Sequence, residues 1–190
     1  MLPTLVGAHK LVQRARRAGA TAIVFDTTGL VDAAQGGGEL KRAKVELLRP
    51  TVVVGIQRGS ELEHLLVPLR RSRRTRVIDL PASRAARRRE VPLRQEYRAA
   101  RFCAYFEGAR VLEVVWQRLA VFPAPAFTPH RLVALEDSSG FTLGLGIVTG
   151  SDLTCGAVTL YTPLSSLEGV DGIRLGDLAL NPRTFRESRL

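Results

Sequence analysis

The stretch that decides the fold runs from residue 21 to residue 66 and reads TAIVFDTTGLVDAAQGGGELKRAKVELLRPTVVVGIQRGSELEHLL. Two short apolar runs, Ala20–Phe25 and Thr51–Ile56, predict β-strands, and Glu39–Leu48 between them predicts a helix that Pro50 ends. Both strands are apolar without alternation, which is typical of a parallel sheet that helices cover on both faces. The stretch therefore predicts an α/β fold.

The alternation of helix and strand continues on either side of this stretch. Helices are predicted over residues 4–18 and 61–69, a third strand over residues 76–80, and a long helical stretch over residues 85–106 that Pro92 interrupts. These elements extend the partial parallel sheet and its helical cover.

From near Gly108 the pattern changes to β-runs separated by turn residues. The predicted runs are Val111–Val121, Arg131–Glu136, Phe141–Thr149, Ala157–Tyr161 and Ile173–Leu180. We therefore expect two domains, an α/β domain over residues 1–109 and a small β-rich domain over residues 110–190.

The net charge of +10 is concentrated in one segment of the chain. Between Arg70 and Arg101 there are twelve arginines and three acidic residues, whereas the segment from residue 110 onward is close to neutral. A concentrated basic patch suggests a polyanionic partner such as nucleic acid or a nucleotide phosphate. A solvated face that keeps the protein soluble is the other interpretation.

The first predicted strand ends in Asp26-Thr27-Thr28-Gly29. In α/β enzymes that handle phosphates, the carboxyl end of such a strand opens onto the ligand crevice. There an aspartate can hold Mg²⁺ through water, hydroxyls can bond phosphate oxygens, and glycine lets the backbone approach the ligand. The same four residues also suit a turn in which Asp26 accepts hydrogen bonds from backbone N–H groups. The four residues alone leave both interpretations open.

The larger set of motifs points to one family. After Asp26–Gly29 come the glycine-rich turn Gly36–Gly38, the pair Lys41 and Lys44, and later the helix ending Phe102-Cys-Ala-Tyr-Phe. In this order they resemble the P-loop polynucleotide 5′-hydroxyl kinase family, which includes the RNA kinase of the pre-mRNA cleavage complex, the rRNA-processing kinases and their archaeal and bacterial relatives. The resemblance covers nearly the whole chain. It implies transfer of the γ-phosphoryl group of ATP, with Mg²⁺, to the 5′-hydroxyl of RNA or DNA.

The resemblance also implies an arginine-bearing lid of the form Arg-x-x-x-Arg that closes over the phosphates. Arg84 and Arg88 match this spacing with Arg87 between them, and Arg94 with Arg98 matches it as well, so the assignment stays open between the two. Arginine suits the task because its planar guanidinium binds phosphate oxygens bidentately and stays charged.

The family's Thr-x-Gly-Trp motif touches the nucleic acid near its reacting end. The resemblance maps it to Thr27, Thr28, Gly29 and Leu30, which we expect to bind the substrate strand, and it makes Asp26 a candidate catalytic carboxylate. Leu30 replaces the family's tryptophan, so a surface for stacking a base is missing there.

Gln57 and Arg58 directly follow the second predicted strand and should face the nucleotide crevice. We expect them to contact the nucleotide. Capping of the following helix by Ser60 is an equally good interpretation of this segment.

Two family motifs have no counterpart in the chain. No Gly-x-x-x-x-Gly-Lys-[Ser/Thr] phosphate loop occurs in the 190 residues, and Gly36–Gly38 is followed by Glu-Leu-Lys-Arg instead. The acidic Walker B strand has no match either. We therefore expect the C-terminal part of a kinase, completed by an N-terminal half that carries the phosphate loop. Alone, it should bind ATP only weakly and be inactive.

Other classes of protein are weaker matches. One alternative is a non-catalytic nucleic-acid-binding or adaptor protein derived from the same family, because such a protein would not need a phosphate loop. A GTPase-like switch also has Asp-x-x-Gly, but Gln57-Arg58 stands where a guanine-reading Asn-Lys-x-Asp would follow the second strand. The two distant cysteines and three isolated histidines predict neither a disulfide scaffold nor a metal site, and we expect a cytoplasmic protein with no membrane association.

Overall fold

The computed structural model describes residues 2–32, 36–86, 90–152 and 154–190. The chain forms two compact units, which divide between residues 87 and 88. The predicted class, α/β with a parallel sheet followed by a β-rich part, is confirmed. In the described residues, no helix combines the length and the apolar character that a membrane crossing requires.

The first unit has three helices and two strands in its described residues. In chain order they are α1 (Leu2–Arg17), α2 (Gly37–Leu48), β1 (Val52–Gln57), α3 (Glu63–Ser72) and β2 (Arg76–Pro81). The two strands pair in parallel, from Val52 opposite Arg76 to Gln57 opposite Pro81. All five elements were predicted, with ends that shift by a few residues.

One face of β1 packs closely on α3. A Cβ atom on Gly55 would lie only 2.6 Å from Leu66 Cδ1, so glycine is what allows this approach. On the opposite face, Val52, Val54 and Ile56 are 41%, 50% and 61% exposed. The described part of the first unit thus leaves one apolar face of its sheet exposed.

The predicted strand at Ala20–Phe25 is wrong. These residues have no regular secondary structure, and the Val24 side chain is 97% exposed. A strand needs a hydrogen-bonded neighbour, and in the described residues β1 and β2 pair only with each other. The apolar composition of the run is real, but nothing in the described chain pairs with it.

The second unit begins with a helix and continues as a seven-stranded sheet. Its elements are α4 (Val91–Tyr105), β3 (Arg110–Val115), β4 (Ala120–Phe122), β5 (Arg131–Glu136), β6 (Thr142–Asp152), β7 (Ala157–Thr162), β8 (Gly172–Leu180) and β9 (Glu187–Arg189). The strand order is β3-β7-β6-β5-β8-β4 with β9 also on β8, and all pairs are antiparallel except β4 with β8.

Most of these strands were predicted, with two differences. The single run Val111–Val121 is divided into β3 and β4 by a 3₁₀ turn at Trp116–Arg118. The short edge strand β9 was not predicted, because its three residues, Glu-Ser-Arg, carry no apolar pattern. The core of the sheet contains fully buried side chains including Leu135, Val158 and Ile173.

Helix α4 belongs to the second unit because aromatic side chains hold its C-terminal end on the sheet. Phe106 is only 1% exposed, and its ring stacks on Tyr161 and Phe185 at centroid distances of 5.8 and 5.9 Å. The hydroxyl of Tyr105 accepts a hydrogen bond of 2.7 Å from the backbone N–H of Leu145. The sequence placed the domain boundary at 109/110, whereas the compact units divide before this helix.

Candidate functional site

A pocket of about 420 Å³ lies where β1 and β2 end. Gln57 and Arg58 line it from β1, and Pro81–Arg84 with Ala86 line it from β2. Ligands of open α/β sheets bind at the carboxyl ends of parallel strands, so this is the expected place for a site. The pocket brings together three residues that the sequence singled out: Gln57, Arg58 and Arg84.

The side chain of Gln57 is held by the start of α3. Its Nε2 donates a 2.8 Å hydrogen bond to Glu63 Oε1, and its Oε1 accepts a 3.1 Å bond from the backbone N–H of Leu62. The predicted alternative, helix capping by Ser60, is wrong: Leu62 is the N-cap residue of α3, and among the described residues no side chain caps the helix. Both ends of the Gln57 amide are fixed, so the side chain keeps one orientation at the pocket edge.

A charged network fixes Glu63 in turn. Arg70 donates to both carboxylate oxygens of Glu63, at 2.7 and 3.2 Å, and to Asp79 of β2 at 2.7 Å. These bonds from Arg70, together with the Gln57 amide, lower the pKa of Glu63 from 4.5 to about 2. The network joins α3 to β2 and is linked to the pocket through Gln57.

Arg58 spans the pocket from one loop to the other. Its guanidinium donates a 2.6 Å hydrogen bond to the carbonyl of Ala86. The Glu61 carboxylate accepts bonds from the backbone N–H groups of Arg58 and Gly59 at 2.8 and 2.9 Å, which lowers the pKa of Glu61. The bond to Ala86 uses one of the guanidinium N–H donors of Arg58. The remaining donors can serve a ligand.

The described candidate lid arginines have different surroundings. Arg84 lines the pocket, in a turn closed by the bond from Ala86 N–H to the Ser83 carbonyl. Arg98 instead pairs with Glu187 at 2.6 Å within the second unit. Arg94 is exposed on α4, also in the second unit. Arg87 and Arg88 lie outside the described residues.

The predicted substrate-binding segment, Asp26–Leu30, lies on α2 and is not part of the pocket lining. Lys41 Nζ donates a hydrogen bond to the carbonyl of Thr28, and Lys44 Nζ lies 5.0 Å above the centre of the Phe25 ring. A Cβ atom on Gly37 would approach the carbonyl of Leu30 to 2.6 Å, so the segment and the helix start meet closely.

Asp26 is exposed, and no hydrogen bond or ion pair in the described residues holds its carboxylate. Thr27 and Gly29 are likewise exposed beside it. Because Ala20–Phe25 is not a paired strand, the sheet does not carry these residues to its carboxyl edge, as the sequence had suggested.

The described residues do not form a metal-binding cluster. No group of three or more His, Cys, Asp and Glu side chains lies together in the parts of the chain that the structure describes. The single carboxylate Asp26 beside threonine hydroxyls is too few ligands for Mg²⁺, which prefers octahedral oxygen coordination.

Sequence reasoning missed two parts of the site. Lys41 and Lys44 were noted only as part of a motif, although they hold the Asp26–Leu30 segment. The bonds from Arg70 to Glu63 and Asp79 were missed entirely, because Asp79 and Glu63 are sixteen residues apart and only the parallel pairing of β1 and β2 brings their elements together.

Comparison with known proteins gives the family. Residues 4–108 match the family model described as mRNA cleavage and polyadenylation factor CLP1 P-loop. The chain belongs to this family. The predicted resemblance to polynucleotide 5′-hydroxyl kinases is therefore confirmed at the level of the family.

The curated relatives carry the corresponding name. The chain is 24% identical to the polyribonucleotide 5′-hydroxyl-kinase of Thermococcus kodakarensis, over 90% of this chain and 63% of that protein. It is 27% identical to that of Methanocaldococcus jannaschii, over 60% of this chain and 30% of the relative. The chain thus spans less than two thirds of the length of these relatives.

Solved structures support the fold. The wild-type Clp1p–Pcf11p complex matches with a TM-score of 0.61 and 11% identity, over 92% of this chain and 51% of the other. A second Pcf11p–Clp1p structure, described as explaining ATP loss in a Gly-to-Arg point mutant, matches with a TM-score of 0.51 and 10% identity, over 75% and 42%. At such identities the likeness establishes the fold alone.

Proposed function

We propose that this chain is the C-terminal part of an ATP-dependent polynucleotide 5′-hydroxyl kinase, which transfers the γ-phosphoryl group of ATP to the 5′-hydroxyl of RNA or DNA. The observation that carries the proposal is the pocket at the carboxyl ends of β1 and β2, where Gln57, Arg58 and Arg84 meet. The family and the names of the relatives supply the reaction.

In this proposal the pocket residues serve the nucleotide and its transferring phosphate. Arg84, with Arg88 as its partner and Arg87 beside it, forms the lid that neutralises charge on the moving phosphoryl group. Arg58 and the fixed amide of Gln57 contact the nucleotide. Arg98 takes no part in the lid, because Glu187 binds it. Arg94 is exposed on α4 and stays a candidate.

The segment Thr27-Thr28-Gly29-Leu30 receives the 5′ end of the strand, and Asp26 is the candidate base for its hydroxyl. Proton removal by a carboxylate requires it within hydrogen-bond reach of that hydroxyl. The exposure of Asp26 and the absence of a partner among the described residues leave the carboxylate available for this task.

The phosphate loop comes from an N-terminal kinase segment that completes the site, either joined to this chain or supplied separately. The exposed face formed by Val52, Val54 and Ile56 supports this, because large apolar faces on a sheet are normally covered. ATP and Mg²⁺ then bind mainly to that segment, and this chain alone does not bind ATP tightly. We also propose a cytoplasmic location, which the free Cys103 and Cys155 fit.

The experiment measures phosphate transfer from γ-labelled ATP to a 5′-hydroxyl RNA and the matching DNA oligonucleotide. This chain is assayed alone and together with a segment that carries the phosphate loop. Transfer only in the combined preparation supports the proposal. No transfer in the combined preparation, or tight ATP binding by this chain alone, refutes it.

A second candidate is a non-catalytic nucleic-acid-binding or adaptor protein of the same family. It is favoured by the arginine-rich segment between residues 70 and 101 in a chain with no phosphate loop of its own. An Arg84→Ala variant separates the two, since it should reduce turnover of a kinase but merely weaken oligonucleotide binding by an adaptor.

A further inference from the structure

Two lysines of α2, Lys41 and Lys44, face the segment that the proposed function assigns to the strand's 5′ end. Residues three apart lie on the same side of a helix. Lys41 Nζ bonds the Thr28 carbonyl and Lys44 Nζ lies over the Phe25 ring, so both ammonium groups are directed to the same short segment.

The positive charge at this place has no counter-charge among the residues that the structure describes. In the described parts of the chain no carboxylate forms an ion pair with Lys41 or Lys44, although Lys44 is only 8% exposed. Burial and the neighbouring charge of Lys44 both lower the pKa of Lys41. Buried charges are normally paired, so an unpaired cationic couple favours the binding of an anion.

The two side chains also keep hydrogen-bond donors for such an anion. An ammonium group has three N–H donors. Lys41 uses one of these donors on the Thr28 carbonyl. The Phe25 ring stabilises the Lys44 ammonium through its aromatic face, which leaves the N–H donors of Lys44 for other acceptors. The hydroxyls of Thr27 and Thr28 belong to the same segment.

We propose that Lys41 and Lys44 together bind a backbone phosphate of the nucleic-acid strand whose 5′ end is received at Thr27–Gly29. This assignment rests on the proposed function. It concerns the strand and not the nucleotide, because neither lysine lines the pocket that holds Gln57, Arg58 and Arg84.

The test is the salt dependence of binding of a fluorescent 5′-hydroxyl RNA oligonucleotide to the full chain. Anisotropy titrations between 50 and 200 mM KCl compare the wild type with Lys41→Met and Lys44→Met. Each lost phosphate contact should reduce the slope of log affinity against log salt by roughly 0.7, the value for a single strand. The loss of affinity across this salt range should then shrink about threefold for each variant.

Two controls match these variants. Arg42→Met removes one positive charge from the same helix, but Arg42 is exposed and pairs with Glu39, so the slope should not change. Lys41→Arg and Lys44→Arg keep the charge and should keep the slope. Thermal melting of every variant confirms that it is folded.

Several outcomes overturn the inference. Weaker binding with an unchanged slope means that the lysines only hold the Thr28 segment in place, and an oligonucleotide that does not bind at all refutes the phosphate site. Lysine-dependent binding of ATP without any effect on the strand assigns the pair to the nucleotide instead. A lysine-dependent slope in a protein that cannot transfer phosphate, when completed with a phosphate loop, refutes the kinase proposal and leaves the phosphate site standing.

Discussion

Truncation of Phe106 should release α4 from the β-sheet of the second unit. The ring is 1% exposed and stacks on Tyr161 and Phe185. Replacement of a fully buried phenylalanine by alanine costs about 3–5 kcal/mol, through lost transfer free energy and the cavity that remains. We therefore expect Phe106→Ala to lower the free energy of unfolding of this unit by about 4 kcal/mol, a large part of the ~5–15 kcal/mol typical of a domain.

The single tryptophan makes this unit easy to follow. Trp116 is the only tryptophan of the chain and packs against the core of the second unit beside Phe127, at a centroid distance of 5.8 Å. Its fluorescence during urea unfolding reports on the second unit, and Val111→Ala, at a side chain that is 60% exposed, is the control. A loss below about 1 kcal/mol for Phe106→Ala would refute the view that this ring anchors the helix.

Three further predictions concern charged groups. Glu136→Gln should destabilise the second unit by about 2 kcal/mol in the same urea assay, because it weakens the two charge-assisted bonds, 2.6 and 2.9 Å, that Arg174 donates to a buried carboxylate. The pKa of Glu63 is about 2 in the folded chain against an ordinary 4.5, so its stabilising bonds are complete above pH 4.5 and are lost as the pH falls toward 2, which pH-dependent urea unfolding followed by circular dichroism will show. In the combined kinase preparation, Arg84→Ala should reduce kcat by two orders of magnitude or more, while the affinity for the oligonucleotide changes little.

Each of these predictions has a matched control. Glu168→Gln removes a carboxylate from an exposed turn of the same unit and should leave stability within about 0.5 kcal/mol. Glu63→Gln should flatten the acid dependence; an equally steep loss of stability in that variant contradicts the role of Glu63. An unchanged kcat for Arg84→Ala removes that residue from the lid.

The strands with local signals could be predicted from sequence, and the failed strand shows the limit of such signals. The apolar runs Thr51–Ile56 and Arg76–Leu80 predict β1 and β2, and these two strands pair in the structure. Ala20–Phe25 has the same composition but no partner among the described residues, and pairing depends on residues far away in sequence. The composition of a segment indicates that its side chains favour burial. Whether the segment forms a strand depends on the neighbouring segments available for pairing.

The site was predicted in part for the same reason. Gln57 and Arg58 follow a recognisable strand, and the rule that ligands bind at the carboxyl ends of parallel strands is enough to assign them to a ligand edge. The fixing of Gln57 by Glu63 and Leu62, and the contact of Lys44 with the Phe25 ring, depend on how α3 and α2 pack. Such contacts leave no spacing in the sequence that would reveal them.

The lid shows how a three-dimensional contact resolves an ambiguity that spacing cannot. Arg84-x-x-x-Arg88 and Arg94-x-x-x-Arg98 are equivalent as patterns. In the structure Arg98 is tied to the Glu187 carboxylate at 2.6 Å, so its use on a phosphate would first require that pair to break. Among the described residues no carboxylate pairs with Arg84, which lies in the pocket with Arg58. An arginine that stabilises the transient charge on a phosphate must not already be paired with a carboxylate. Of the described candidates, Arg84 meets this condition and also lies at the carboxyl edge of the sheet.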